Sequence, residues 1–182
     1  MSNFTLYMTT DCNFKCKYCY EDYQKHYQLN EKTLVEALEF IMNYEEKGKV
    51  LLDFLGGEPL LKKDLIYKAV RYIETHYVDR KVKYYITTNC SLMNDEFIEF
   101  MKAHNFTIRL SFDGNKATHD LNRVSKDGCS CYEKILENIM KVKNSGVNSS
   151  VRMTVTENTI PHMFKNIRFL HEKGLDNICM IM

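Results

Sequence analysis

Apolar and polar positions follow two different periods along the chain. Six short runs rich in aliphatic, aromatic and β-branched residues have the composition of strands, and five longer segments carry an apolar stripe at helical spacing. The predicted strands are 4–10, 50–55, 81–88, 106–112, 149–156 and 177–182. The predicted helices are 31–48, 63–77, 94–104, 131–146 and 161–174, with Leu34, Leu38, Ile41 and Met42 on one face of the first.

Strands and helices alternate strictly in this pattern. The alternation predicts right-handed βαβ units, and therefore an α/β protein with a parallel sheet that is either curved into a partial barrel or open. The longest irregular segment is a polar loop at 113–130. No linker rich in Pro, Gly or Ser interrupts the pattern, so we expect residues 1–182 to form one domain.

The last predicted strand, 177–182, ends the sequence. A parallel strand without a following helix has nothing to cover its outer face. We therefore expect the sequence to be a piece of a longer protein, with little turnover on its own; a complete minimal domain is the alternative.

Composition narrows the class of protein. The chain is 45% hydrophobic and 27% charged, with a net charge of +1, which is typical of a globular domain and gives no reason to expect nucleic acid as a partner. The first residues lack the pattern of a secretory signal, and no apolar run is long enough to span a membrane. We expect a cytoplasmic protein whose seven cysteines are reduced thiols or metal ligands.

Polar or Gly-rich residues follow each of the first five predicted strands. In parallel α/β folds, ligands bind at the carboxyl ends of the strands. The residues there are Thr9, Thr10 and Asp11, then GGEP (56–59), TTN (87–89), SFDG (111–114) and TEN (156–158). We therefore expect one site along this rim.

Three cysteines within eight residues, Cys12, Cys16 and Cys19, follow the first strand. Structural zinc usually takes four protein ligands, and an iron–sulfur cube is usually held by four thiolates. Three thiolates on a cube leave one iron open for a ligand, and a single short loop suits a cube because its irons lie close together. Unligated thiols and zinc with a distant fourth ligand are the alternatives that the spacing leaves open.

The stretch CNFKCKYCY, with GGEPL after the second strand and SFDG after the fourth, resembles the radical S-adenosylmethionine (radical SAM) superfamily. The resemblance implies a partial parallel (β/α)6 barrel of six strands and five helices, open at its edge. It also implies a [4Fe–4S] cluster held by Cys12, Cys16 and Cys19, with S-adenosylmethionine on the fourth iron. Reductive cleavage of that cofactor gives methionine and a 5′-deoxyadenosyl radical, which abstracts hydrogen from the substrate.

Roles for individual cofactor-binding residues follow from the same resemblance. Gly56 and Gly57 would let the backbone approach the cofactor, and Glu58 would accept a hydrogen bond from its amino group. Tyr18 is expected against the adenine, with a packed core tyrosine as the alternative. Arg123 is expected to reach the methionyl carboxylate, with a solvated loop charge as the alternative.

The remaining residues on this rim have weaker assignments. Ser111 is placed to bond the ribose or the carboxylate, and Thr88 and Asn89 are candidates for the adenosyl moiety or the substrate. Asp113 and Gly114 are expected to shape a turn. No catalytic acid or base is assigned.

Within the superfamily, YMTTDCNFKCKYCYE, GGEPLL and S-F-D-G-x4-H-D-x2-R most resemble enzymes that modify peptides and proteins. These are the anaerobic sulfatase-maturating enzymes and the SPASM-type peptide maturases, whose cysteine-rich C-terminal extension this sequence does not include. The resemblance implies a peptide or protein substrate and a flavodoxin- or ferredoxin-type reductant. Alternatives are activation of a glycyl-radical enzyme, modification of a small metabolite, and a zinc-bound or metal-free scaffold without activity.

The other cysteines and the histidines have plain expectations. Cys90, Cys129, Cys131 and Cys179 are expected to be small apolar residues or free thiols, and Cys90 is a candidate for the cavity wall. The six histidines lack the spacing of metal ligands and are expected to be surface or hydrogen-bonded polar residues.

Overall fold

A computed structural model describes residues 2–23, 26–44 and 48–182. The six strands form one parallel sheet in chain order: β1 (Ser2–Tyr7), β2 (Val50–Leu55), β3 (Val82–Thr88), β4 (Phe106–Ser111), β5 (Asn148–Thr154) and β6 (Ile178–Ile181). The helices are α1 (Glu31–Tyr44), α2 (Lys63–His76), α3 (Asp95–Ala103), α4 (Lys116–Asn122), α5 (Tyr132–Ser145) and α6 (Met163–Glu172). The predicted α/β architecture is confirmed, with β1 and β6 at the two open edges.

The two faces of the sheet differ in chemistry. Alternate strand residues such as Phe54, Ile86 and Ile108 are fully buried, and they belong to the same apolar core as the helices. That core includes the predicted stripe of α1, namely Leu34, Leu38, Ile41 and Met42. Burial of each such side chain contributes about 1.5–3 kcal/mol to folding. The intervening positions, such as Ser111 and Arg152, are half-buried and line a cavity instead.

The prediction of a structureless loop at 113–130, and with it the count of five helices, is wrong. The segment contains α4, which begins after Asn115, whose side chain accepts a hydrogen bond from the Thr118 backbone N–H (3.3 Å). Helix α4 buries Thr118, His119 and Asn122 and carries a single leucine, Leu121. The apolar stripe that marks the other helices is therefore missing from its sequence.

Several predicted bounds also differ from the observed ones. The first strand ends at Tyr7 rather than at residue 10 because the chain then pairs with the segment before α1, where the Leu29 N–H donates to the Met8 carbonyl (2.9 Å). Helix α1 ends at Tyr44, and most of its expected last turn lies outside the described residues. None of the helices in the described part of the chain combines the length and apolarity that a membrane span requires.

Candidate functional site

A cavity of about 430 Å³ lies at the carboxyl ends of the strands. Its wall contains all but one of the residues expected to bind the cluster or the cofactor: Cys12, Cys16, Tyr18, Cys19, Gly56, Gly57, Asn89, Ser111 and Arg123. Glu58 is the exception. The fold thus brings together residues from four strand tips, although their binding roles stay predictions.

The cysteine loop, residues 9–19, is held in place by the last residue of α4 and by the segment that follows it. The Lys15 N–H donates to the Val124 carbonyl (2.7 Å), and the Lys17 N–H donates to the Asn122 carbonyl (2.9 Å). These bonds satisfy backbone groups that lie between the cysteines, so they define the path of the loop.

Gly56 and Gly57 allow the start of the cysteine loop to lie against the tip of β2. A Cβ on Gly56 would lie 2.3 Å from the Thr9 carbonyl oxygen, and one on Gly57 would lie 2.5 Å from that of Asp11. The Gly57 N–H donates to the Thr9 carbonyl (2.8 Å), and the Glu58 N–H donates to that of Asp11 (2.9 Å). The glycines are therefore required by the protein's own packing, in addition to their place in the cavity wall.

The three thiols are a donor set of the kind that holds an iron–sulfur cluster. All three line the cavity, yet among the described residues no three Cys, His, Asp or Glu side chains are placed to hold one ion. A cube offers a separate iron to each thiolate, whereas structural zinc gathers four ligands around one atom. Burial raises the pKa of the Cys12 thiol to about 12 and that of Cys16 to about 11. Binding of iron to these sulfurs must therefore displace their protons.

Glu58 is fully buried and is bonded within the protein. Its Oε1 accepts hydrogen bonds from the Leu60 N–H (3.0 Å) and the Thr88 hydroxyl (2.7 Å), and its Oε2 accepts from the Asn89 N–H (2.8 Å). Burial nevertheless raises the pKa of this carboxyl. In this arrangement Glu58 joins the tips of β2 and β3, and its predicted bond to a cofactor amino group stays a prediction.

Asp113 is the centre of a buried network, a role beyond the turn expected for it. Its Oδ2 accepts from Arg123 Nε (3.0 Å) and the Tyr18 hydroxyl (2.7 Å), and its Oδ1 accepts from Arg123 Nη2 (3.0 Å) and the Thr154 N–H (3.0 Å). The guanidinium lies 5.5 Å from the centre of the Tyr18 ring. Although burial opposes it, the neighbouring Asp113 raises the pKa of Arg123. The arginine is thus a fixed cation in the cavity wall.

Asn89 lies between the tip of β3 and the cysteine loop. Its side-chain nitrogen is 3.7 Å from the Cys12 sulfur and 3.0 Å from the Asn13 side-chain oxygen. Its side-chain oxygen accepts hydrogen bonds from the N–H and the hydroxyl of Ser91. The sequence placed Asn89 on the rim, but nothing in it indicated contact with a cysteine sulfur.

Residues 6–170 match the model of the Radical SAM superfamily. The chain belongs to this family. An iron–sulfur cluster and bound S-adenosylmethionine are typical of radical SAM proteins, and the six-stranded partial barrel described above is the radical SAM fold.

Several known proteins are similar over nearly the whole chain. An uncharacterised protein of Methanocaldococcus jannaschii is 28% identical over 98% of this chain and 61% of its own length. The cysteine-type anaerobic sulfatase-maturating enzyme of Clostridium perfringens is 26% identical over 91% of this chain and 47% of its own. The solved structure of anSMEcpe with bound AdoMet and Kp18Cys peptide superposes with a TM-score of 0.91 at 27% identity, over 99% of this chain and 51% of that one. The chain therefore spans roughly half to three fifths of the length of these three proteins.

Two charged residues of the radical SAM cavity are among those missed from the sequence. Arg152 of β5 lies in the wall, and the period-two alternation of SSVRMTVT would have placed it on the same face as Thr154. Glu21 also lines the cavity; it is 7% exposed, and neither of its carboxylate oxygens has a hydrogen-bond partner among the described residues. Only its position two residues after Cys19 could have indicated it.

Two other expectations are wrong: His119 is neither at the surface nor hydrogen-bonded within the described residues, and Cys90 does not line the cavity. His119 is buried in α4 against Phe112 and Tyr132, and neither ring nitrogen has a partner within the described residues. Burial lowers its pKa to about 4, so the ring is neutral. Cys90 is fully buried in the apolar core, outside the residues that line the cavity.

Proposed function

We propose that residues 1–182 are the core domain of a radical SAM enzyme that acts on a peptide or protein. The observation that carries the proposal is the cavity wall, in which the three cysteines lie beside Gly56 and Gly57 and the fixed cation Arg123. Its support from known proteins is the similarity to sulfatase-maturating enzymes, one of which has been solved with AdoMet and a peptide.

In this proposal, Cys12, Cys16 and Cys19 hold a [4Fe–4S] cluster. When bound, the cluster supplies the electron that cleaves S-adenosylmethionine into methionine and a hydrogen-abstracting 5′-deoxyadenosyl radical. A flavodoxin- or ferredoxin-type protein would be the source of that electron.

The chain's own residues bind and orient the cofactor. Ser111 and the fixed guanidinium of Arg123 offer hydrogen-bond donors to a carboxylate or a ribose, and Tyr18 presents an aromatic ring to the adenine. Asn89 is placed to contact the adenosyl moiety, and the backbone at Gly56 and Gly57 bounds the same space. Glu58 is assigned to the amino group of S-adenosylmethionine. That amino group would have to compete with the three donors within the protein that already bond to the Glu58 carboxylate.

The test is anaerobic reconstitution of the protein with iron and sulfide. We expect a brown protein with about four irons and four sulfides per chain, which forms 5′-deoxyadenosine from S-adenosylmethionine and dithionite. Replacement of Cys12, Cys16 or Cys19 with Ala should abolish both properties, whereas Cys129→Ala should not, because that thiol is exposed and does not line the cavity.

Other results would point elsewhere. One bound zinc without sulfide would identify a structural scaffold, and an intact cluster in all three variants would refute the ligand assignment. Transfer of deuterium into 5′-deoxyadenosine from deuterated small metabolites, with no such transfer from deuterated peptides or proteins, would refute the assignment of a peptide or protein substrate.

A further inference from the structure

We propose that the Asn89 side chain donates a hydrogen bond to the Cys12 sulfur and thereby raises the reduction potential of the cluster. The inference rests on the proposed function, because it assumes that Cys12 is a cluster ligand. Asn89 is a positioning residue in this role, and the role is separate from any contact with S-adenosylmethionine.

The orientation of the amide follows from its neighbours. Ser91 donates to the Asn89 oxygen twice, from its N–H (2.9 Å) and from its hydroxyl (2.6 Å). An amide nitrogen cannot accept these bonds, so the oxygen must face Ser91. The nitrogen must then face the cysteine loop, where it lies 3.7 Å from the Cys12 sulfur and 3.0 Å from the Asn13 oxygen.

The amide is also held firmly. Asn13 completes a ring of side chains, because its own nitrogen donates to the Ser91 hydroxyl (2.8 Å). The Asn89 backbone N–H is bonded to Glu58, and the side chain is only 7% exposed. The donor is therefore held in place by the protein's own bonds, and little water competes with it.

The direction of the effect follows from charge. One-electron reduction adds negative charge to the cluster and its thiolates, so a donor at a ligand sulfur stabilises the reduced state more than the oxidised state. Removing that donor should make the cluster harder to reduce. A single hydrogen bond of about 1 kcal/mol would change the reduction equilibrium roughly fivefold.

The experiment is a redox titration of the reconstituted protein, followed by EPR, without S-adenosylmethionine. With no cofactor present, a role of Asn89 in cofactor binding cannot affect the result. Asn89→Leu removes the donor at similar size and should shift the midpoint to a more negative potential. A roughly fivefold change in the reduction equilibrium corresponds to a shift of about 40 mV for one electron. Asn89→Asp keeps the acceptor for Ser91 and should shift the midpoint further in the same direction.

Ser91→Ala is the matched control, because it removes the hydroxyl but keeps the backbone N–H that donates to the Asn89 oxygen and sets the orientation of the amide. Its midpoint should stay close to that of the wild type. A wild-type midpoint in both Asn89 variants would overturn the inference, as would a shift in Ser91→Ala as large as that in Asn89→Leu, which would show a purely structural role.

A measurement on the unmodified protein covers the case in which the variants do not load iron. Pulsed EPR of wild type labelled with ¹⁵N-asparagine should show a side-chain nitrogen coupled to the cluster, and its absence would contradict the inference. If the wild type assembles no cluster at all, the proposed function itself fails. That result differs from a cluster that assembles but has the same midpoint potential with and without the Asn89 side chain, which refutes only this inference.

Discussion

At the scale of single residues, the ion pair of Asp113 and Arg123 is the strongest polar contact in the site. The aspartate is fully buried and the arginine is 7% exposed. Two buried charges are costly to desolvate, and removing one partner leaves the other uncompensated. Because Asp113 also binds Tyr18 and Thr154, the pair fixes three parts of the cavity wall together.

We therefore expect Asp113→Asn to lower the free energy of unfolding by about 3 kcal/mol, since it leaves the Arg123 charge buried without a carboxylate. Urea unfolding of the metal-free protein measures this change. Glu137→Gln is the control, because its ion pair with Lys141 is exposed and should contribute little to stability. Equal losses in the two variants would contradict this account of the site.

His119 predicts a pH dependence of stability. Its pKa is about 4 in the fold, against an ordinary 6.5, so below pH 6.5 the unfolded chain binds a proton that the folded chain does not. Stability should fall as the pH drops from about 6.5 to 4, by up to about 3 kcal/mol from this group. His119→Leu should lose that part of the dependence, so the stability difference between variant and wild type should grow in favour of the variant as the pH falls. Parallel unfolding profiles from pH 4 to 7.5 would show that His119 is not buried as a neutral ring.

At the scale of elements, the cysteine loop is positioned by its neighbours. The tip of β2 lies against its beginning, Asn89 and Ser91 bind Asn13, and the segment after α4 pairs with its middle. Helix α4 therefore supports the site indirectly, because the chain that leaves it at Asn122 carries both Arg123 and the partners of the loop.

Gly57→Ala tests this packing. The new Cβ would lie within 2.6 Å of the carbonyl oxygens of Thr10 and Asp11, so the start of the cysteine loop must move. We expect a loss of about 1–3 kcal/mol in unfolding free energy and reduced iron loading on reconstitution.

Gly146→Ala is the control for the glycine substitution. It introduces strain at a positive φ of 82° but has open space around it, far from the cavity. It should lose stability and keep its iron. Full iron loading in Gly57→Ala would show that the loop tolerates displacement.

At the scale of the whole molecule, the sheet separates stability from chemistry. One face supplies the apolar core, and the other face and the strand tips supply polar groups to one cavity. Such a division lets a fold keep its core while the rim changes. The comparisons agree with this division. The chain is only 26–28% identical to the similar proteins described above, yet it superposes on the solved structure of anSMEcpe with a TM-score of 0.91 at 27% identity.

The sequence alone determined the alternation of six strands with five of the six helices, and it identified the strand tips whose residues line the cavity. The reason is that period and turn residues are local properties, and parallel connections place every strand's carboxyl end on one rim. The motif around Cys12 then indicated the family, and the match over residues 6–170 confirmed it.

Only the tertiary structure decided which polar groups face each other. That Glu58 is bonded inside the protein, that Asp113 joins Arg123 to Tyr18, and that Asn89 points at a cysteine sulfur all depend on contacts between strand tips distant in sequence. Helix α4 was hidden for the same reason, because it is stabilised by a cap and by buried polar contacts rather than by an apolar stripe. Periodicity records which side of an element is buried, and it carries no information about which partner a buried polar atom finds.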